Sequence, residues 1–101
     1  MTMGKEQIIA ILKEVIDPEL AINIFDLGLV YDIRFDEKEQ RLAIDMTLSS
    51  PGCPLGDVIF EDVYERVKAR FPDVELDLNL VWDPPWNPDR LTPEGRKALG
   101  R

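Results

Sequence analysis

The order of the apolar patterns along the chain is the feature that most constrains its fold. Apolar residues recur at helical spacing in residues 5–16 and 54–71, and they alternate with polar residues in 29–35, 41–49 and 74–82. Each alternating segment has one apolar and one polar face, so both helices must cover the same side of a sheet. The sequence therefore predicts an α+β two-layer sandwich of order α-β-β-α-β, with a small mixed three-stranded sheet in strand order 1-2-3 and two helices on one face.

The same spacing assigns the buried faces. In the second helix, Phe60 and Tyr64 widen a stripe that consists of Leu55, Ile59, Val63 and Val67. In the strands, Asp45 and Thr47 are predicted to face outward. The residues predicted to face inward are Leu29, Tyr31, Ile33, Phe35, Leu42, Ile44, Met46, Leu48, Val74, Leu76, Leu78, Leu80 and Trp82.

Prolines and glycines mark where these elements end. Asp17-Pro18 stops the first helix, because the residue before proline is excluded from the helical region. Gly28 is predicted to supply a positive φ in the connection to the first strand. A Pro/Trp-rich tail follows the third strand and ends in a short helix capped by Thr92. We expect a single domain over residues 1–101, with a core of about 5–83 and a tail of 84–101.

Charge and composition exclude several classes of protein. The net charge is −8, from 20 acidic and 12 scattered basic residues, which disfavours nucleic-acid binding. No apolar run is long enough for a transmembrane helix, and the N-terminus does not resemble a signal peptide, so no membrane partner is expected. One cysteine cannot form an internal disulfide, which predicts a reducing cytoplasm. The absence of histidine removes the usual general base and the commonest zinc ligand, so a conventional hydrolase is disfavoured.

The only cysteine, Cys53, lies between the second strand and the second helix. Pro54 suits the first helical position, which places Cys53 at or next to the N-cap, where the helix end lowers the pKa of a thiol. Ser49 and Ser50 add hydroxyl donors beside it, and Gly52 allows a ligand or the backbone to approach closely. The alternative interpretation is a small, inert, buried hydrophobe.

Asp17 and Glu19 are candidates to lie near Cys53, because the loop after the first helix can approach the start of the second. The alternatives are a capping role for Asp17 and a solvated position for Glu19. A nearby carboxylate would also oppose ionisation of the thiol. One cysteine is too few for a closed metal site, since clusters usually take four thiolates, so any metal site would be completed by a second chain, a small thiol or a partner.

Four motifs resemble the SufT/PaaD-like family of iron–sulfur assembly domains in their order and spacing. They are Asp17-Pro18-Glu19-Leu20, the segment from Asn23 to Tyr31, the segment from Thr47 to Pro54, and Trp82-Asp83-Pro84-Pro85-Trp86. The resemblance implies a role in iron–sulfur protein maturation with Cys53 as the central residue. It places Asp17 and Glu19 at acidic positions of the family, and Thr47 and Ser49 at hydroxyl positions. The sequence lacks the cysteine-rich C-terminal extension of PaaD proteins and the long N-terminal extension of typical SufT proteins.

These observations favour an accessory factor, a carrier or adaptor acting through Cys53, over an enzyme. Cys53 would contact iron or sulfur transiently in a pocket formed by Asp17, Glu19, Thr47, Ser49, Ser50 and Gly52. The expected cargo is a transient iron–sulfur cluster or iron, with no tightly bound cofactor. Trp82 and Trp86 would form a surface for an assembly scaffold or client protein, although two tryptophans among prolines also suit a sheet-edge plug. A homodimer would supply two thiolates. The alternatives are a thiol-dependent enzyme, a pure interaction module, and a PaaD-like role in maturing an oxygenase.

The predicted N-cap position makes Cys53 testable by alkylation. We expect the pH midpoint of its reaction with iodoacetamide to lie below about 8.5, the value of an ordinary thiol, because the helix end stabilises the thiolate. The same protein denatured in urea is the control. A midpoint that is equal in the folded and denatured protein would favour the inert alternative.

Overall fold

The computed structural model describes residues 4–49 and 56–100, which fold as a mixed α+β structure, as predicted. No helix in those two ranges has the length and apolar character needed to cross a bilayer. In chain order, the elements are α1 (Lys5–Leu12), β1 (Ile16–Asp17), β2 (Ile22–Asn23), β3 (Val30–Asp36), β4 (Arg41–Met46), α2 (Gly56–Arg70), β5 (Glu75–Leu80), a 3-10 turn (Pro88–Arg90) and α3 (Pro93–Ala98).

The main sheet has the strand order β3-β4-β5, which confirms the predicted order of the three long strands. β3 and β4 pair antiparallel, with Ile33 opposite Ile44, while β4 and β5 pair parallel, with Ile44 opposite Leu78. A parallel pair cannot be joined by a tight turn, so the chain must cross over between its two strands. α2 makes this crossover and packs on β5.

The core lies between the main sheet and the helices α1 and α2, on one face of the sheet. The stripe of α2 contributes Ile59, Val63 and Val67, and α1 packs against α2. β4 is the central strand, and its inward side chains are fully buried. The remaining core includes Ile8, Ile11, Leu12, Val15, Ile24, Leu27, Leu29, Leu42, Ile44, Met46, Val74 and Leu91.

The first helix is shorter than predicted, ending at Leu12 instead of residue 16. Ile16–Asp17 instead pairs with Ile22–Asn23 as a small antiparallel ribbon, and the N–H of Ile24 donates to the carbonyl of Val15 over 2.9 Å. Pairing with a later segment therefore replaces the last helical turn. Apolar spacing cannot reveal this, because Val15 is buried in either conformation.

Three side chains predicted to be inward are substantially exposed. Tyr64 is 48% exposed, Leu80 43% and Trp82 41%. The reason is the size of the sheet: β5 is its last strand in the described structure, so no further strand of residues 4–49 and 56–100 covers the outer flank of α2 or the end of β5. Leu55, which was predicted to begin the stripe of α2, lies outside the described residues.

Ion pairs join elements on both sides of the sheet. On the open face, the guanidinium of Arg34 donates to both carboxylate oxygens of Asp45, over 2.7 and 3.0 Å, and this pairing lowers the pKa of Asp45. Between α2 and the turn after α1, Arg70 and Arg66 donate to the carboxylate of Glu14 over 2.7 and 3.2 Å, and chiefly Arg70 lowers the pKa of Glu14. These carboxylates favour the charged form more in the folded than in the unfolded state.

We expect these pairs to make stability acid-sensitive. Because the folded pKa values of Asp45 and Glu14 lie below their unfolded values, their stabilisation is present above about pH 4 and is lost as the pH falls through the folded values. Urea midpoints measured between pH 7 and pH 3 should fall less steeply in Arg34→Gln than in the wild type. Lys38→Gln is the control, because Lys38 forms no salt bridge within the described ranges. Equal slopes for all three proteins would contradict the assignment.

Candidate functional site

The residues that follow β4 and β5 meet at one edge of the sheet. The two strands are parallel, so their carboxyl ends point the same way, an arrangement that commonly places binding sites at that edge. Hydrogen bonds continue the sheet past the carboxyl ends of β4 and β5. After β4, Thr47 N–H donates to the carbonyl of Leu29, just before β3, over 2.8 Å. After β5, Val81 N–H donates to the carbonyl of Met46 over 2.9 Å. The edge therefore brings Thr47 and Ser49 near Trp82.

Thr47, which was predicted on the outward face of its strand, is buried and not exposed to solvent. Its exposure is 0%, and its hydroxyl has no hydrogen-bond partner within the described ranges. Met46, Thr47 and Leu48 are buried in succession, so burial does not alternate at this end of the sheet. An unsatisfied buried hydroxyl costs about 1–3 kcal/mol, so Thr47 is an unusual choice for a purely structural position.

An apolar groove lies beside Ser49. We call it the tryptophan groove; its volume is about 240 Å³ and it is lined by Leu48, Ser49, Trp82, Pro85 and Trp86. The two tryptophans differ in environment. Trp82 is 41% exposed, whereas Trp86 is half-buried and its Nε1–H donates to the carbonyl of Leu27 over 2.6 Å. Trp86 thus plugs the structure and also forms one wall of the groove.

Cys53, Ser50 and Gly52 lie outside the described residues, so their predicted roles stay predictions. The described residues on the two sides of this segment lie close together at one edge of the sheet. A side chain on Gly56 would approach the Cδ1 atom of Leu48 to 2.6 Å, which shows that the first turn of α2 packs directly on the end of β4. The segment with Cys53 therefore starts and finishes at the edge that carries the tryptophan groove.

The structure gives Asp17 the capping role that was the alternative to a pocket residue. Asp17 is 1% exposed, and its Oδ1 accepts hydrogen bonds from the N–H groups of Glu19 and Leu20 over 2.8 and 3.3 Å. The side chain of Glu19 is exposed. In the described ranges, no hydrogen bond joins either acid to Thr47 or Ser49. Their proximity to Cys53 stays a prediction.

A buried polar network around Asp26 was not predicted. Asn23 Nδ2–H donates to Asp26 Oδ2 over 2.7 Å, and Asp26 N–H donates back to Asn23 Oδ1 over 2.9 Å. Thr92 Oγ1–H donates to Asp26 Oδ1 over 2.9 Å, and Thr92 Oγ1 in turn caps α3 by accepting from Gly95 N–H. Asparagine, aspartate and glycine within six residues are a turn signal, so the local part of the network could have been found. Nothing local identifies Thr92 as the partner.

This network fixes the tail across the start of β3. The guanidinium of Arg90 lies 4.5 Å from the ring centre of Tyr31, and the hydroxyl of Tyr31 donates to the carbonyl of Pro84 over 2.7 Å. Gly28 has the predicted positive φ of 78°. A Cβ at Gly28 would collide with the backbone of Arg90. The tail therefore belongs to the site, because these contacts hold Pro85 and Trp86 in place.

The described residues of the site contain no metal centre. Within 4–49 and 56–100, no group of three or more histidine, cysteine, aspartate or glutamate side chains could hold a metal ion. The site offers hydroxyl groups, aromatic rings and the thiol that the sequence places between Ser49 and Gly56. One thiolate is too few to enclose a metal ion, since closed sites take about four protein ligands.

Comparisons with known proteins agree with this picture. Residues 5–77 match the family described as iron–sulfur cluster assembly protein. The chain is 42% identical to the Fe-S protein maturation auxiliary factor YitW of Bacillus subtilis, over 95% of this chain and 93% of that protein. It is 45% identical to the Fe-S protein maturation auxiliary factor SufT of Staphylococcus aureus, over 85% and 97%. A crystal structure of a domain of unknown function from Bacillus anthracis is 41% identical and superimposes with a TM-score of 0.89, over 95% and 91%.

The close approach of the tail predicts which glycines are essential. In Gly95→Ala, the new methyl group would collide with the backbone carbonyl of Asp26, so we expect a loss of about 1–3 kcal/mol in the free energy of unfolding despite the better helix propensity of alanine. Gly100→Ala is the control: unlike Gly95, Gly100 has a positive φ, but nothing lies within 4 Å of its Cβ position, so the change should lose only about 1 kcal/mol. Urea unfolding followed by tryptophan fluorescence measures both. A smaller loss in Gly95→Ala than in Gly100→Ala would contradict the packing.

Proposed function

Because this chain belongs to the iron–sulfur cluster assembly protein family, we propose that it is an accessory factor in the maturation of iron–sulfur proteins, acting through Cys53. The observation that carries the proposal is the family match together with relatives named as maturation auxiliary factors that align along nearly the whole chain. The predicted resemblance to SufT-like assembly domains is thereby confirmed.

The covalent chain keeps Cys53 close to the groove. Three peptide units separate Cys53 from Gly56, which limits the distance between their Cα atoms to about 11 Å. Gly56 packs on Leu48, a residue of the tryptophan groove. A thiolate within this radius acts at the carboxyl edge of the sheet. The hydroxyls of Thr47 and Ser49 would be donors to a sulfur atom there, the kind of hydrogen bond that tunes metal–sulfur groups.

The cargo would be an iron–sulfur cluster or iron, held transiently. One thiolate per chain leaves the remaining ligands to be supplied by the scaffold, by the client, by a small thiol or by a second copy of the chain. An incomplete ligand set suits transfer, because the cargo leaves when a protein with the full set takes it. The same set suits an adaptor that touches the cluster only while scaffold and client are both bound. Either role requires a reduced thiol, which supports a reducing compartment such as the cytoplasm.

The tryptophan groove would be the first contact with the scaffold or client. Trp82 offers an exposed aromatic face beside the thiol segment, and aromatic side chains are enriched in the centres of protein interfaces. Trp86 and Pro85 are held in position by the tail, so a partner would meet a preformed wall. Preformed surfaces lose less conformational entropy on binding.

The role of Cys53 can be tested in cells that lack the endogenous protein. Cys53→Ala should reduce the activity of iron–sulfur enzymes to the level of the empty vector, because no other side chain in the sequence is a thiol. Lys97→Ala, an exposed change on α3, is the control and should restore activity fully. Enzyme activity in extracts, normalised to the amount of client polypeptide, is the measurement. Full activity with Cys53→Ala would refute the proposal that the protein acts through its thiol.

Reconstitution distinguishes a carrier from an adaptor. Purified wild type and Cys53→Ser are incubated anaerobically with iron, sulfide and a small thiol, and the visible spectrum and native mass are recorded. Colour that depends on Cys53 supports the carrier form of the proposal. Colour of equal intensity in Cys53→Ser would contradict the role of the thiol as a ligand.

A further inference from the structure

The outer edge of β5 presents backbone groups that pair with nothing else in residues 4–49 and 56–100. β5 is the last strand of the order β3-β4-β5. Glu75 N–H donates to the carbonyl of Gln40 over 2.8 Å and Val81 N–H to that of Met46 over 2.9 Å, so the odd-numbered residues of the strand face β4. Because strand residues alternate in direction, Leu76, Leu78 and Leu80 point their N–H and C=O groups away from the sheet.

The tail does not cover this edge. After β5, the chain crosses the end of β4 towards the opposite side of the sheet, where Tyr31 Oη–H donates to Pro84 O and Trp86 donates to Leu27 O. The tail thus protects the β3 side and leaves the β5 side open. An open edge strand of six residues is a template for another strand.

The helix side of β5 carries an apolar strip that is only partly covered. Leu76 and Leu78 are partly buried against the core, whereas Leu80 is exposed and Trp82 continues the strip beyond the strand. Tyr64 of α2 is exposed on the flank of the helix towards this strip. Arg66 pairs with Glu14, so its flank of α2 faces α1. Helical residues are about 100° apart, so Tyr64 lies on the opposite flank. Apolar side chains of an added strand would be covered by this strip.

The open side of β5 is acidic. Glu75 and Asp77 are exposed there, and Asp77 forms no ion pair within the described ranges. Arg41 of β4 pairs with Glu75 over a distance of 3.2 Å, and the charge of Asp77 also acts on Arg41. An added strand would therefore meet carboxylates on one face and leucines on the other. Opposite charges directly across two strands stabilise the pairing, and like charges destabilise it.

We propose that β5 binds an extended segment of a partner protein in which apolar and basic residues alternate, adding a fourth strand to the sheet. The free N–H and C=O groups of Leu76, Leu78 and Leu80 would supply the pairing, the apolar strip would bury alternate side chains, and Glu75 and Asp77 would select lysine or arginine at the others. A second copy of this chain is a poorer occupant, because it would bring its own Glu75 and Asp77 and a further net charge of −8 to the same edge.

This inference rests on the proposed function in one respect: the partner would be the scaffold or client that an accessory factor must hold. The surface itself is independent of Cys53. The two proposals can therefore fail separately, since one concerns a strand edge and the other a thiol.

A pair of synthetic peptides tests the edge on the full chain. One alternates valine and lysine, the other valine and glutamate, both capped and of equal length. In a titration of the ¹⁵N-labelled protein, we expect the lysine peptide to shift the amide resonances of Leu76, Leu78 and Leu80 saturably and to slow their hydrogen exchange. The glutamate peptide should bind about tenfold more weakly, since each cross-strand charge pair contributes a fraction of that difference.

Charge reversal gives the matched variants. Asp77→Lys should invert the preference, so that the glutamate peptide binds more tightly, while the exposed position leaves the fold intact. Glu61→Lys makes the same change in net charge on the solvent side of α2 and should keep the wild-type preference. Inversion by both variants would show a general charge effect and overturn the assignment to β5.

Other outcomes would also overturn the inference. They are equal binding of the two peptides, resonance shifts confined to residues outside β5, and a dimeric native mass with protected Leu76, Leu78 and Leu80 amides before any peptide is added, which would give the edge to a second copy. If the lysine peptide binds as expected but Cys53→Ala supports full client activity, only the proposed function falls. If Cys53→Ala abolishes client activity and no peptide binds, only the strand-addition proposal falls.

Discussion

The parallel pairing of β4 with β5 is the constraint on which the rest of the structure depends. It obliges the chain to cross over through α2, so the segment between β4 and α2 starts at the carboxyl edge of the sheet. It also brings the residues after β5 to the same edge, where Trp82 meets Ser49 in one groove. A hairpin between these strands would have reversed β5 and carried Trp82 to the far end. One pairing direction thus assembles the candidate site from distant parts of the chain.

The tail converts that edge into a defined surface. Its path is fixed by specific polar contacts, those of Thr92 with Asp26 and of Trp86 with Leu27, and by glycines that let backbones approach closely. The two tryptophans therefore differ in role: Trp86 plugs the fold and shapes the groove, while Trp82 offers its face to solvent. A polar network buried under the tail is costly unless every member is paired, which gives the tail one position instead of many.

The same pairing also leaves the outer edge of β5 open in the described structure. Placing β5 at the end of the sheet leaves both its backbone edge and part of its apolar face open. Acidic residues on the outer face of an edge strand discourage self-association, since identical strands repel. They also select a complementary partner. The acidity of the chain is thus informative about association, while the helices, strands and buried faces follow from the apolar pattern.

The sequence by itself determined the number, type and order of the main elements, because apolar spacing reports which face of each segment must leave water. It also indicated the positive φ of Gly28, the cap at Thr92 and the family, through motifs that are local in the chain. Tertiary structure decided what depends on distant partners. Val15 pairs with Ile24 instead of continuing a helix, and Thr47 is buried although the alternation places it on the outward face. Tyr64 and Leu80 stay exposed at the end of the sheet. Asp26 accepts a hydrogen bond from Thr92, 66 residues away. The local apolar pattern shows whether a residue prefers burial or contact with water. These outcomes depend instead on which distant segments of the chain pack against the residue.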